Sequence, residues 1–385
     1  MAGVPLPTIA AMTGQTANIV HGAPSGKPRN PNNRPGLDYR AQAATFQKFP
    51  RRIVDSHSHI VGAGAARVYD EARRAYGVGL TYSMTPMPFV DAVRDVLGDT
   101  IRFIAIPTWG DPDKERAWRA GFLENIELFH AKYDARMMKI WNSPSLRDRF
   151  PGASGTDLVE MDSPWRLKAA ELAQSLGMSI MVHIADPDTW FKAKYADSAK
   201  YKTKREQYEG LERMLDRFTT PWIAAHMGGW PEDLNFLDGL LSRHPNLHLD
   251  TSATKWQVRE LSKHPPEESR AFFTKWKGRI LFGSDIVTSD DHLAPQKVNP
   301  AHPKADQADS PESAFDLYAS RFWALRTLLE TSFDGESPIA DGDLKMVEPG
   351  KYDDASAPRL RGMGLPRNVL ESLYFGAAEK FFGAV

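Results

Sequence analysis

From residue 51 onward the chain alternates short apolar runs rich in Ile, Val and Phe with longer segments of helical period. Strands expose side chains with period two and amphipathic helices with period 3.6, so this alternation predicts parallel strands joined by crossover helices. Eight runs stand out: 53–60 (IVDSHSHI), 79–84 (GLTYSM), 101–109 (IRFIAIPTW), 135–141 (ARMMKIW), 179–185 (SIMVHIA), 221–227 (PWIAAHM), 246–252 (NLHLDTS) and 280–287 (ILFGSDIV). Helices are predicted between them at 85–97, 114–131, 164–176, 204–218, 232–244 and 266–277. Two more, at 312–331 and 367–382, finish the outer layer. Ser163 followed by Pro164 is an N-cap with proline in the first turn. Eight strands with intervening helices over roughly 250 residues is the arithmetic of an α/β fold of the (β/α)8 TIM-barrel type. A doubly wound open sheet is the alternative.

The segment before this alternation differs. Pro5, Pro7, Pro24, Pro28, Pro31 and Pro35 interrupt it, and little periodic apolar pattern survives. Residues 1–50 therefore read as an extended N-terminal arm, and 51–385 as the barrel domain. A polar, proline-rich passage at 288–311 reads as a long loop at the barrel mouth.

Composition narrows the chemistry. None of the 385 residues is cysteine, which excludes a disulfide framework, a thiolate metal site and a cysteine nucleophile. A metal would have to be held by imidazole and carboxylate, ligands suited to Zn, Mn or Fe. The 48 basic and 49 acidic side chains leave a net charge of −1, giving no electrostatic reason to expect nucleic acid or an anionic membrane as partner. No apolar stretch reaches membrane-spanning length and the N-terminus lacks the pattern of a secretory signal, so a cytoplasmic location is expected. A homo-oligomer, most simply a dimer, is expected too.

In IVDSHSHI, period two puts His57 and His59 on one face of one strand. Two buried imidazoles side by side are costly unless they share a purpose, and together they make half of a divalent metal site. His183, His226 and Asp285 each follow several apolar residues, where a barrel strand reaches its C-terminal rim. Barrel enzymes keep their active sites on that rim.

The D-x-H-x-H of Asp55, His57 and His59, the strand-five His183, the AHMGGWP around His226, the FGSD ending in Asp285 and the terminal LYFGAAEKFFG together resemble one known group. This is the amidohydrolase superfamily, and within it the branch of aminocarboxymuconate-semialdehyde decarboxylase-like enzymes. The resemblance spans about residues 51–385; Gly376 stands where relatives often carry asparagine. It implies one divalent ion, zinc first and manganese or iron as alternatives, held by His57, His59, His183 and Asp285. His226 would act beside it as acid or base, and Asp285 would both ligate and shuttle a proton. Lys139, on the fourth strand, falls where some two-metal relatives carry a carboxylated lysine. Here a substrate-binding or structural ammonium is expected.

Five of the ten tryptophans, Trp109, Trp141, Trp190, Trp230 and Trp256, follow predicted strands by a few residues. Gathered at the rim they would shape a flat apolar pocket, and Trp109, Trp141, Trp190 and Trp230 are expected to bind substrate with Lys139. The basic, aromatic stretch 190–208 reads as a solvated loop and helix that could draw an anionic substrate to the mouth. Gly62 and Gly64 do not make a dinucleotide turn, because Arg67 occupies the third glycine position.

The expected function is a metal-dependent hydrolase whose metal-activated water attacks an amide, lactone or related carbonyl of an aromatic or conjugated small molecule. The alternative is non-oxidative decarboxylation of an aromatic or conjugated acid, for which the same groups would serve. Asp55 is the commoner hydrolase-like residue at its position, where several decarboxylating relatives carry glutamate. A third reading, a non-catalytic barrel with a structural ion, would need the ligands but no free base such as His226.

Overall fold

The computed structural model describes residues 30–295 and 307–383. Residues 1–29 of the expected arm, and 296–306 of the expected mouth loop, lie outside the described residues. The strands are β1 (Ile53–His59), β2 (Val78–Ser83), β3 (Ile101–Phe103), β4 (Met137–Trp141), β5 (Ser179–His183), β6 (Trp222–Ala224), β7 (Leu247–Asp250), β8 (Ile280–Leu281) and β9 (Ile286–Val287). All are parallel and pair in the orders β3-β2-β1-β9 and β4-β5-β6-β7-β8.

Two junctions close the ring. Ala105 bridges to Met138, with Ala105 N donating to Met137 O and Lys139 N to Ala105 O, which joins β3 to β4. The eighth run kinks between its two short strands, so that β8 pairs with β7 and β9 with β1. Ser56 N donates to Phe282 O, and Asp285 N to His57 O. The expected barrel is the fold, and the open sheet is set aside.

Most expected helices form, with ends set by local chemistry. The segment from residue 85 begins as a short turn, Met87–Phe89, and becomes α-helical only at Val90–Leu97. Thr85 and Met87 each precede a proline, which disfavours the α-helical region at those residues. Lys204–Arg217 opens on a capping box between Thr203 and Glu206. Among the described residues, two helices of eight or more residues are not marked by the sequence pattern. In Ala63–Ala75 the buried face is Ala65, Ala66, Tyr69 and Ala72, whose alanines carry the helical spacing weakly. In Thr254–Leu261 the buried face includes Gln257, Arg259 and Glu260, which read as polar. Gly62, φ 85°, begins the first of these helices; a Cβ there would lie 2.3 Å from Asp290 Oδ1, the atom that accepts from Ala65 N. An antiparallel pair, β10 (Asp334–Glu336) with β11 (Arg359–Arg361), was also unread.

Residues 30–50 are sewn to the barrel. Asn33 Nδ2 donates to Leu37 O and to Asp316 Oδ2, and Tyr39–Ala43 forms a short helix capped by Asp38. The buried Arg326 guanidinium binds Gln47 O, Tyr76 O and Glu330. A second, smaller apolar cluster stands apart from the main core: Trp118, Leu146, Phe150 and Leu158, from the segments after β3 and β4, with Trp109 and Trp141 packed against it.

His248, on β7, meets Phe381 edge-on at 4.9 Å between ring centroids and leaves Nδ1 without a partner. Burial, with Arg279 nearby, pushes its pKa from 6.5 down to about 4. The fold thus favours the neutral ring, and this stabilisation is complete above pH 6.5 and lost as the pH falls toward 4. The loss should reach roughly 3 kcal/mol. His248→Leu should flatten the decline in stability between pH 7 and 4.5, measured by urea unfolding. Parallel declines in variant and parent would refute it.

Candidate metal centre and catalytic site

The chemistry-bearing side chains collect at the C-terminal ends of the strands. His57 and His59 alternate along β1, Lys139 lies on β4, His183 ends β5, His226 follows β6, and Asp285 sits in the kink between β8 and β9. His226 (φ 60°), Met227 (φ 50°), Ala253 (φ 64°) and Asp285 (φ 56°) all hold left-handed backbone. That region is unfavourable for residues with a Cβ, and such residues persist where the surroundings dictate them. After Met227 the left-handed turn continues through Gly228 and Gly229, which take it without strain.

His57 Nε2 is 3.4 Å and His59 Nε2 3.3 Å from the same oxygen, Asp285 Oδ1. Lys139 Nζ approaches His57 Nε2 at 3.4 Å, and both side chains are buried. On its far side His57 Nδ1 meets Asp250 Oδ2 at 2.8 Å. Similarly, His183 Nε2 meets Asp186 Oδ1 at 3.0 Å, and Asp186 Oδ2 accepts from Ser143 Oγ (2.6 Å) and Tyr195 OH (2.9 Å). An ionised carboxylate can only accept, so the imidazole protons lie on His57 Nδ1 and His183 Nε2. The remaining lone pairs, on His57 Nε2 and His183 Nδ1, turn away from those carboxylates. Carboxylates placed behind histidines in this manner orient metal ligands.

Nitrogen from His57 and His59 and oxygen from Asp285 lie within 4.8 Å of one another, a donor set that suits a divalent ion. Burial and the Lys139 ammonium work against a charged His57 ring, but Asp250 and Asp285 raise its pKa above the usual value. Burial works against ionisation of Asp285, yet the two imidazoles hold its carboxyl well below the usual range. Burial lowers the Lys139 pKa to about 8, against the pull of Asp250 and Asp285. His57, His226 and Asp250 also cluster, but both oxygens of Asp250 are taken by hydrogen bonds within the protein.

The structure gathers His57, His59 and Asp285. His183, the fourth expected ligand, stands one imidazole away, its Nδ1 3.0 Å from His226 Nε2, with Asp186 holding its other nitrogen. Among the tryptophans expected at the mouth, Trp109 comes within 6.0 Å of the His59 ring and Trp141 within 6.2 Å of the His183 ring. Trp190 instead donates to Asp343 Oδ2, and Trp230 stacks on Tyr208 and packs against Phe236. Trp256, 5.9 Å from the His226 ring, lines the cluster in their stead. Asp55 faces away from it, accepting from Ser284 N, Ser284 Oγ and His57 N, so it stitches β1 to the β8–β9 kink.

Asp250, Ser252 and Asp186 were not singled out from the sequence. The signal for Asp250 was there: it ends the apolar run NLHLD as His183 and Asp285 end theirs. A family model described as amidohydrolase matches residues 34–383. The chain belongs to the amidohydrolase family.

No curated protein matches this amidohydrolase. Among solved structures it is similar to 2,6-dihydroxybenzoate decarboxylase from Rhizobium, with 13% identity over 71% of this chain and 99% of that one and a TM-score of 0.37. It is similar to an amidohydrolase from Burkholderia multivorans with bound zinc, with 12% identity, coverage of 87% and 100%, and a TM-score of 0.41. A third is 5-carboxyvanillate decarboxylase from Novosphingobium aromaticivorans complexed with manganese, with 12% identity, coverage of 71% and 96%, and a TM-score of 0.36. As an amidohydrolase the chain belongs to a family of metal-dependent enzymes, and the non-catalytic barrel is set aside. Among the described residues no helix is long and apolar enough to cross a membrane.

Proposed function

We propose that this amidohydrolase hydrolyses an amide, lactone or related carbonyl of a small aromatic or conjugated molecule, with one divalent ion, zinc first, at His57, His59 and Asp285 and with His183 joining them. The observation that carries this reading is the arrangement of imidazoles, with protons tied outward and lone pairs left over. A divalent ion there would polarise the substrate oxygen and make water acidic near neutral pH. His226 Nε2 takes the proton of the attacking water and returns it to the leaving nitrogen or oxygen. Burial holds the His226 pKa well below 6.5 against the pull of Asp285, and His183, His57 and Lys139 lower it further, so the ring is neutral and able to accept.

Lys139 supports the second reading, decarboxylation of an aromatic or conjugated acid. Its ammonium beside His57 is the kind of group that anchors a carboxylate. A panel of lactones, amides, esters and aromatic acids, followed by both carbonyl cleavage and CO2 release, separates the two. Cleavage without CO2 supports hydrolysis, and CO2 release overturns it in favour of the second reading.

With the active substrate in hand, Trp141→Ala should raise KM roughly tenfold with little change in kcat, since a flat aromatic wall contributes about 0.5–1.5 kcal/mol beyond area burial. An unchanged KM would remove Trp141 from the pocket.

A further inference from the structure

We infer that Ser252 and Asp250 are positioning residues that hold His226 in a single tautomer, proton on Nδ1 and lone pair on Nε2. They tie the proton-transfer group to the same carboxylate that orients His57. The inference rests on the reading of His226 as that group.

Donor counting carries it. Asp250 is fully buried, and four donors converge on it. His57 Nδ1 reaches Oδ2 at 2.8 Å. Oδ1 accepts from His226 N at 2.8 Å, from Ser252 N at 3.0 Å and from the Ser252 hydroxyl. With donors converging on both of its oxygens the carboxylate acts as an acceptor only, and the single hydroxyl proton of Ser252 points to it.

Ser252 Oγ is also 2.7 Å from His226 Nδ1. With its own proton committed, the hydroxyl can only accept there, so Nδ1 is the donor. The lone pair of His226 then lies on Nε2, facing His183 Nδ1 at 3.0 Å. His183 has its proton on the other side, toward Asp186. Two lone pairs facing each other at this distance leave room for one proton or a cation, which makes His226 Nε2 a place where a proton arrives. The left-handed turn serves the same end: it aims the His226 amide at Asp250 Oδ1, with Ser252 Oγ at 3.2 Å.

Side-chain NMR of the zinc-loaded protein labelled with 15N-histidine tests this, with His226 assigned from the signals that vanish in His226→Gln. We expect the parent and Ser252→Thr to carry the His226 proton on Nδ1, and Ser252→Ala to shift it toward Nε2 or a mixture. Ser252→Ala should retain zinc and lose kcat by roughly 10–100-fold at similar KM, and Ser252→Thr should recover most of that loss. A parent His226 protonated on Nε2, or a tautomer indifferent to Ser252→Ala, overturns the inference. If no substrate is turned over by the parent, the functional reading fails, while the tautomer of the parent and of Ser252→Thr still decides the relay.

Discussion

Converting His226 to glutamine is expected to lower kcat by roughly 10²–10⁴-fold, the usual contribution of a positioned acid or base, while bound metal per chain stays unchanged. Glutamine keeps a polar group of similar reach but cannot accept and return a proton near neutral pH. Four of the surrounding contacts do not depend on the His226 ring: His57 to Asp250, His57 to Asp285, His59 to Asp285, and His183 to Asp186. The ligand cluster should therefore survive the exchange. Elemental analysis and steady-state kinetics on the same preparation check both halves. Full turnover in the glutamine variant would mean that proton transfer runs elsewhere, and loss of metal would make His226 a ligand.

Asp285→Ala should act more severely, costing metal and activity together. One oxygen of Asp285 faces both β1 imidazoles, and its backbone amide donates to His57 O, so it is the point at which the last barrel strand meets the first. Without the carboxylate the donors fall to imidazoles alone, His57 and His59 on one strand with His183 beside them. Lewis-acid stabilisation worth several kcal/mol would go with the ion, a loss on the order of 10³-fold or more in kcat/KM. Chelation of the parent should reproduce that loss and added divalent metal should reverse it, whereas Asp285→Ala should respond to neither. Tight zinc binding by the variant, measured by competition with a chromogenic chelator, would contradict the assignment.

The barrel was legible because its strands are apolar runs ended by polar residues, a pattern that survives without knowledge of pairing. His57 and His59 were legible for the same reason, since period two puts them together before any fold is known. The kink that splits the eighth run into β8 and β9 was not legible, because it follows from Asp285 taking left-handed backbone, which no periodicity reports. The carboxylates behind the histidines were missed on other grounds. Asp186 works through Ser143 and Tyr195, residues distant in sequence from one another, and Asp250 looked like a strand end like any other. Trp190 and Trp230 show the limit from the other side. Their positions after strands placed them on the right face, but partners fixed by tertiary packing, Asp343, Tyr208 and Phe236, decided where their rings go.

The left-handed backbone at His226, Met227, Ala253 and Asp285 costs about 1–3 kcal/mol at each such residue. Glycine would relieve that strain at positions 226 and 285 and abolish the chemistry at the same stroke. Heat resistance and turnover therefore compete for the same two positions. A library of this chain selected only for thermal survival would drift toward inactive proteins first at these sites, well before its core had changed.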